Sequence, residues 1–370
     1  MREPASGACA NRRQERARTR QRGAREKGGR QVSRRLVVGG ALVALVVVVV
    51  AVVLATGGGN GQRLVVYTAR AHYGEEQPFR EFASRERVDL TLFGGSAPEL
   101  YERLRNEGDR TRADVFITVD GANLWRARSS GLLQPLRSSA LDRAVPAGLR
   151  DPQGYWYALT VRARTIVRST ERVPAGTVTH YRDLGDPRWR GRLCLRSGTS
   201  EYNVSFVADR IAKFGRAATE RLLRAWMANR PQIFGSDIDV IQAIADGRCD
   251  VGLVNSYYLG RMLASDPNLP VALEWADQDG RGTHVNLSGI GITRYTRHRE
   301  LARKLVEYLT RPPVQEELVR NNKEFPADPA VPGPPELRRF GTFKRDPIDV
   351  AGAARHLQEA LALMEEVGWR

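Results

Sequence analysis

From residue 64 onward the chain alternates short apolar runs with amphipathic ones, and this alternation constrains its fold more than any other feature. Leu64-Val65-Val66-Tyr67-Thr68 has the length and β-branched content of a buried strand, and residues 77–85 have the spacing of a helix. Residues 88–93 read as a strand, 98–107 as a helix, 114–119 as a strand and 121–130 as a helix. Parallel strands need a crossover between them, so the pattern predicts an α/β fold: a mainly parallel sheet with helices on its faces. Ligands of such sheets bind at the carboxyl ends of the strands. A second series begins after Tyr155-Trp156-Tyr157-Ala158-Leu159, with strands at 193–195 and 250–254 and helices at 201–214, 217–228 and 237–245. Roughly 310 residues are more than one core usually serves, so two lobes are expected. A strand at 288–293 and a helix at 299–310 are expected to return to the first lobe. Residues 325–335, with five prolines, should lie over the surface as a strap.

The amino terminus is a separate problem. The formal net charge is +16, but residues 1–35 hold twelve basic side chains against three acidic ones, so more than half of the excess sits in under a tenth of the chain. Leu36 to Ala55 follows, twenty residues without a charge, long enough as a helix to span a hydrocarbon core of about 30 Å. Arginine on one flank and glycine and asparagine on the other place residues 1–35 in the cytoplasm and the body outside it. The basic tail is therefore a topology signal, and the charge gives no reason to expect nucleic acid. Ser33-Arg34-Arg35 also resembles a twin-arginine signal, and Val53-Leu54-Ala55 a cleavage site. A cleaved signal peptide thus competes with a retained anchor, which the length and the unbroken valine run favour. Cys9 lies in the tail rather than after the apolar run, which argues against a lipid anchor. The expected segments are a basic tail (1–35), a transmembrane or signal segment (36–56) and a linker (57–62).

Several catalytic signatures are absent: no G-x-S-x-G, no Walker loop, no H-E-x-x-H and no C-x-x-C. With five His and three Cys, a site must draw on other groups. Tyrosine is the candidate. Tyr257-Tyr258 follow the apolar run 251–256, His72-Tyr73 follow the first strand, and Tyr202 follows Arg196-Ser197-Gly198-Thr199-Ser200 where a strand turns into a helix. Phenolate oxygens suit a hard trivalent cation such as iron(III) better than zinc or copper, and a metal displaces the phenol proton. Against this stands the ordinary role of a tyrosine as packing. The turn holding Ser197, Thr199 and Ser200 is either an anion cradle or a helix N-cap, the N-cap being the default. Arg162 and Arg164 are either cations behind the site or solvated groups. His284 and His298 read as structural. No general base accompanies the tyrosines, so an enzyme is not expected.

Several longer stretches resemble the iron(III)-binding proteins of bacterial ABC importers. They are residues 64–73 (Leu-Val-Val-Tyr-Thr-Ala-Arg-Ala-His-Tyr), 113–120, Leu132-Leu133-Gln134-Pro135 and Asp186-Pro187-Arg188-Trp189-Arg190-Gly191-Arg192. Asn255-Ser256-Tyr257-Tyr258-Leu259-Gly260-Arg261, residues 278–286 and Asn286 to Gly289 add to them. The resemblance runs over roughly residues 63–369. It implies a two-lobed periplasmic-binding-protein fold of type II, with 63–160 and 286–370 as one lobe and 161–285 as the other. It implies metal positions at His72, Tyr73, Tyr202, Tyr257 and Tyr258, the last three from the second lobe. The family commonly reads Arg-His-Tyr where this chain has Arg70-Ala71-His72-Tyr73. Cys194 and Cys249 each precede a ligand turn; a disulfide and two buried thiols both fit.

The implied function is that of an extracytoplasmic, monomeric substrate-binding component that closes on iron(III), with or without a synergistic anion, and hands it to a membrane permease. Two alternatives stand beside it: a binding protein for another small ligand, an anion or a polyamine, and an anchored receptor module that senses a ligand.

Overall fold

The computed structural model describes residues 62–73 and 76–370, together with the backbone of Val52 and Val53; the side chain of His72 lies outside it. The expected basic tail, the linker up to residue 61, and the apolar segment apart from those two valines also fall outside the described residues. Among the described residues no helix is long and apolar enough to cross a membrane.

Strand β1 (Val52–Val53) is followed by β2 (Arg63–Thr68), α1 (Gln77–Glu86), β3 (Asp89–Gly94), α2 (Ala97–Glu107), β4 (Val115–Thr118), α3 (Gly121–Ser129), β5 (Leu133–Gln134) and α4 (Ser139–Ala144). Local chemistry sets several boundaries. Ser96 and Glu99 form a reciprocal capping box at the start of α2, and the Asp120 carboxylate accepts from the backbone N–H groups of Ala122 and Asn123 to start α3. Arg87, at φ 55°, ends α1 in the left-handed region. β2 lies parallel between β3 and β4, as the strand–helix alternation predicts.

The central element is β6 (Tyr157–Ser169), thirteen residues, all buried. The expected strand at 155–159 is thus much longer than its apolar run. Arg162, Arg164 and Arg168 interrupt that run, and each is buried with an acidic or carbonyl partner in place of water. The chain goes on through β7 (Leu193–Arg196), α5 (Glu201–Phe214), α6 (Arg216–Ala228), β8 (Gln232–Phe234), α7 (Asp237–Ala245), β9 (Val251–Asn255), α8 (Ser256–Ser265) and β10 (Val271–Glu274). It closes with β11 (Val285–Thr293), α9 (Arg299–Leu309), α10 (Pro312–Asn322), β12 (Phe325–Pro326), α11 (Pro335–Arg338), α12 (Val350–Arg355) and α13 (Leu357–Glu366).

The strand order is β1-β3-β2-β4-β11-β6-β9-β7-β8, with β5 on β11 and with β10 and β12 on β6. Residues 157–163 of β6 pair with β11, and residues 164–168 pair with β9, so one strand passes from the first half of the sheet into the second. β11 returns to the first half, pairing antiparallel with β4. The proline-rich strap begins on the sheet, because Phe325 and Pro326 pair with Val161 and Thr160 of β6. Val52 and Val53, assigned from sequence to the apolar helix, are extended and pair with Leu92 and Thr91 on the open edge of β3. β-Branched residues and an unsatisfied strand edge favour this arrangement.

One core holds Val66, Phe82, Phe116, Leu124, Ile290 and Leu305. A second holds Phe206, Trp226, Leu253, Ala360, Leu363 and Met364. Helix α13, in the 286–370 segment that the resemblance groups with the first half, buries its apolar face in this second core.

Candidate metal centre

Strands β7 and β9 are parallel neighbours, Leu193 to Leu195 lying beside Val251 to Leu253. Each runs out at its carboxyl end into a helix, α5 after β7 and α8 after β9. Tyr202 is in the first turn of α5, and Tyr257 and Tyr258 are in the first turn of α8. The pairing therefore brings three phenols together at two helix amino termini, whose partial positive charge favours an anion. The Tyr257 hydroxyl donates to the Tyr202 oxygen at 3.3 Å, and the Tyr257 and Tyr258 ring centroids are 4.2 Å apart.

The fourth phenol arrives from the first half of the sheet. β2 ends in a turn of 3-10 helix, Ala71–Tyr73, and the Tyr73 ring stands edge-on to Tyr257 with centroids 5.9 Å apart. Tyr73, Tyr202, Tyr257 and Tyr258 thus form one cluster from three strand ends. His72 lies in the same turn, its side chain outside the described residues. No group of three or more His, Cys, Asp or Glu side chains among the described residues is placed to hold a metal.

Behind the phenols is a buried charge network. Glu324 is fully buried; its Oε1 accepts from the Tyr73 hydroxyl at 2.8 Å, and its Oε2 accepts from Thr160 at 2.7 Å and from Arg70 at 3.1 Å. Arg70 also forks onto both oxygens of Glu76, at 2.8 and 2.9 Å. Arg162 donates to the Val119 carbonyl and to Ser288, and its Nε lies 3.6 Å from Glu324. The guanidinium groups of Arg162 and Arg196 each lie 5.4 Å from the Tyr202 ring centroid, and Arg261 lies 4.7 Å from that of Tyr73. Arg162 and Arg164 are both buried, which removes the solvated alternative for either. Arg164 is a strut: it bonds Asp237 and Asn255, each at 3.1 Å, and so fixes the residue before the Ser256-Tyr257-Tyr258 turn.

Burial holds Tyr73, Tyr202 and Tyr257 neutral. Burial pushes the Tyr257 hydroxyl well above its ordinary value, and the neighbouring Tyr73, Tyr202 and Tyr258 add to the shift against the opposing pull of Arg162. Burial and then Glu324 push Tyr73 up, again against Arg162 and Arg70. Burial does the same to Tyr202. Glu201, next to Tyr202, is pushed up to about 7 by burial and by Asp120.

The Ser197–Ser200 turn is less committed. Thr199 N–H donates to Ser197 Oγ at 3.3 Å, and Ser200 stands at the N-cap position of α5 without a capping bond from its side chain. The expected N-cap bond is thus missing, and the Ser200 hydroxyl has no partner among the described residues. Cys194 and Cys249 are joined as a disulfide with Cα atoms 5.8 Å apart, tying β7 to the residues that lead into β9. His284 is structural, its Nδ1 2.9 Å from Asp209, as is His298, 3.1 Å from Asp114.

Residues 111–346 match the family of bacterial extracellular solute-binding proteins. The chain belongs to that family. This solute-binding protein is 36% identical over 318 residues to iron uptake protein A1 of Synechocystis sp., covering 84% of this chain and 88% of that one. Its fold matches that of Trichodesmium IdiA (FutA), solved in complex with iron and citrate ligands, with TM-score 0.77 at 36% identity over 83% of this chain and 100% of that one. It also matches a ferric binding protein from Campylobacter jejuni with TM-score 0.78 at 31% identity, over 83% and 100% of the two chains. The fold is accordingly the mixed α/β fold of ferric-binding proteins.

Sequence reasoning did not find Arg70, Glu76, Arg196 or Glu324 in this solute-binding protein. Glu324 bonds Arg70 from 254 positions away, and nothing in Asn322-Lys323-Glu324-Phe325 marks a buried carboxylate. The one available signal was Arg70 itself, a charge at the end of an otherwise apolar strand.

Proposed function

We propose that this solute-binding protein captures iron(III) through the phenolate oxygens of Tyr73, Tyr202, Tyr257 and Tyr258, with His72 as a further candidate donor, and delivers it to the permease of an ABC importer. The observation that carries this reading is the convergence of four buried or half-buried phenols from three strand ends on one spot backed by arginines. Phenolates are hard anionic donors suited to a trivalent cation, and the ion, not the fold, removes their protons. The relatives' printed names, iron uptake and ferric binding, point the same way.

In this reading the two halves of the sheet are lobes hinged at β6 and β11. Tyr73 belongs to one and the other three phenols to the other, so closure completes the ligand set and presents the form that the permease recognises. Arg162 and Arg196 offset the negative charge of the assembled phenolates, and the Ser197–Ser200 turn offers hydroxyl groups for a synergistic anion. The chemistry is binding and release, with no covalent step. Residues 36–55 serve as the export segment that places the protein outside the cytoplasm. Mass spectrometry of the protein recovered from the membrane and medium distinguishes anchor from cleaved signal by the amino-terminal residue found. The test of the main reading is iron titration of Tyr257→Phe and Tyr258→Phe: affinity and visible colour are expected to fall in both, and their survival in both contradicts the reading.

A further inference from the structure

The last residues of the chain reach back to the turn that carries Tyr202. Trp369 is buried, 2% exposed, and its indole N–H donates to the Arg196 carbonyl oxygen at 2.9 Å. The same carbonyl accepts from Asn203 Nδ2 at 3.0 Å, so the tail and the residue after Tyr202 share one acceptor. Gly198, in the middle of the turn, has no room for a side chain: an added Cβ would lie 2.1 Å from the Trp369 carbonyl oxygen and 3.2 Å from the Met364 Cε. The tail is itself held rigidly. Gly368 turns the chain at φ 79°, Trp369 N–H donates to the Met364 carbonyl at 2.8 Å, and the Trp369 ring packs edge-on against Trp226 at 5.8 Å.

We propose that Trp369 is a positioning residue for the metal centre, clamping the Arg196–Ser200 turn so that Tyr202 is held in place by the carboxyl terminus. This rests on the ferric reading. Every other contact described around the phenols comes from residues between Arg70 and Glu324; here the support comes from the second-to-last residue of the chain. The turn is pinned on both sides, by Asn203 from the helix and by Trp369 from the tail. Loss of one pin frees the backbone just ahead of Tyr202 while leaving β9 and the Tyr257-Tyr258 turn as they are.

The test uses the full chain with Trp369→Phe, which keeps a ring in the core but removes the N–H, and Gly198→Ala, whose added methyl group drives the turn off the Trp369 carbonyl. Two readouts are needed. In metal-free protein, amide hydrogen exchange across residues 197–204 is expected to speed up in both variants while residues 254–262 stay unchanged; unchanged exchange at 197–204 overturns the clamp. With iron loaded, release to excess chelator is expected to be faster by about tenfold, the scale of one lost hydrogen bond. In a Tyr202→Phe background, Trp369→Phe is expected to add no further acceleration, because the residue acts through Tyr202. Equal acceleration in both backgrounds, or none in either, overturns the positioning role. If the unaltered protein develops no iron-dependent absorption, the ferric reading fails, and the exchange arm still reports on the clamp by itself.

Discussion

Burial favours the neutral form of the tyrosines, and on the proposed reading this sets the pH behaviour of metal capture. The hydroxyls of Tyr73, Tyr202 and Tyr257 are all pushed above their ordinary value by burial, so each enters the metal-free protein as a neutral phenol. On the proposed reading, iron(III) must displace those protons. Binding is therefore expected to release about one proton per phenolate ligand and to weaken as pH falls; calorimetry in buffers of different ionisation enthalpy measures the release. The same shifts have a second consequence for the apo protein. A phenol whose value is raised on folding stabilises the fold below about pH 10 and loses that contribution as pH climbs toward its raised value, so denaturant midpoints are expected to fall above pH 10. Removing a ligand should cost more than the ~10–100-fold in affinity that loss of an outer partner costs. Tyr257→Phe is expected to exceed that range and Glu324→Gln to fall within it, both read by competition with a chelator. The phenols were legible in the sequence because each follows an apolar strand. Glu324 was not, since its meaning comes from Arg70, Arg162 and Tyr73, which only the folded chain brings to it.

At the scale of elements, the strand–helix alternation through residues 64–130 was readable because buried parallel strands and amphipathic helices have different periods. β6 was not. Its reading stopped at Leu159, shortly before Arg162, since a charge normally marks the surface, and only the partners of Arg162, Arg164 and Arg168 let the strand continue through the middle of the sheet. The short edge strands β1 and β12 carried no period at all. The disulfide acts on elements too, fastening β7 to the entry of β9 across a sequence separation of 55. Because both strands lead to the turns that carry Tyr202, Tyr257 and Tyr258, it supports the cluster without touching the phenols. Cys194→Ser with Cys249→Ser is expected to lower unfolding free energy by about 2–4 kcal/mol, measured by urea denaturation, while leaving the iron absorption spectrum unchanged.

At the scale of the molecule, two long strands, β6 and β11, pass through the middle of the sheet, and the phenols are divided between its halves. The carboxyl terminus runs across this arrangement. Val350 packs in the first core, and Ala360, Leu363 and Met364 pack in the second, so residues 350–364 touch both. That course is not legible in the sequence, because an amphipathic helix shows that it has an apolar face without showing which core receives it. The net charge of +16, by contrast, was divisible from sequence alone, and most of the excess lies outside the residues that build the site. What unites the scales is one claim, that the buried phenols exist to hold iron(III). The most direct test is the visible spectrum of the purified protein as iron(III) is added. A phenolate-to-iron charge-transfer band that grows to saturation and disappears in the Tyr257→Phe, Tyr258→Phe double variant is the predicted result; a protein that stays colourless with iron, or whose colour survives both substitutions, would contradict it.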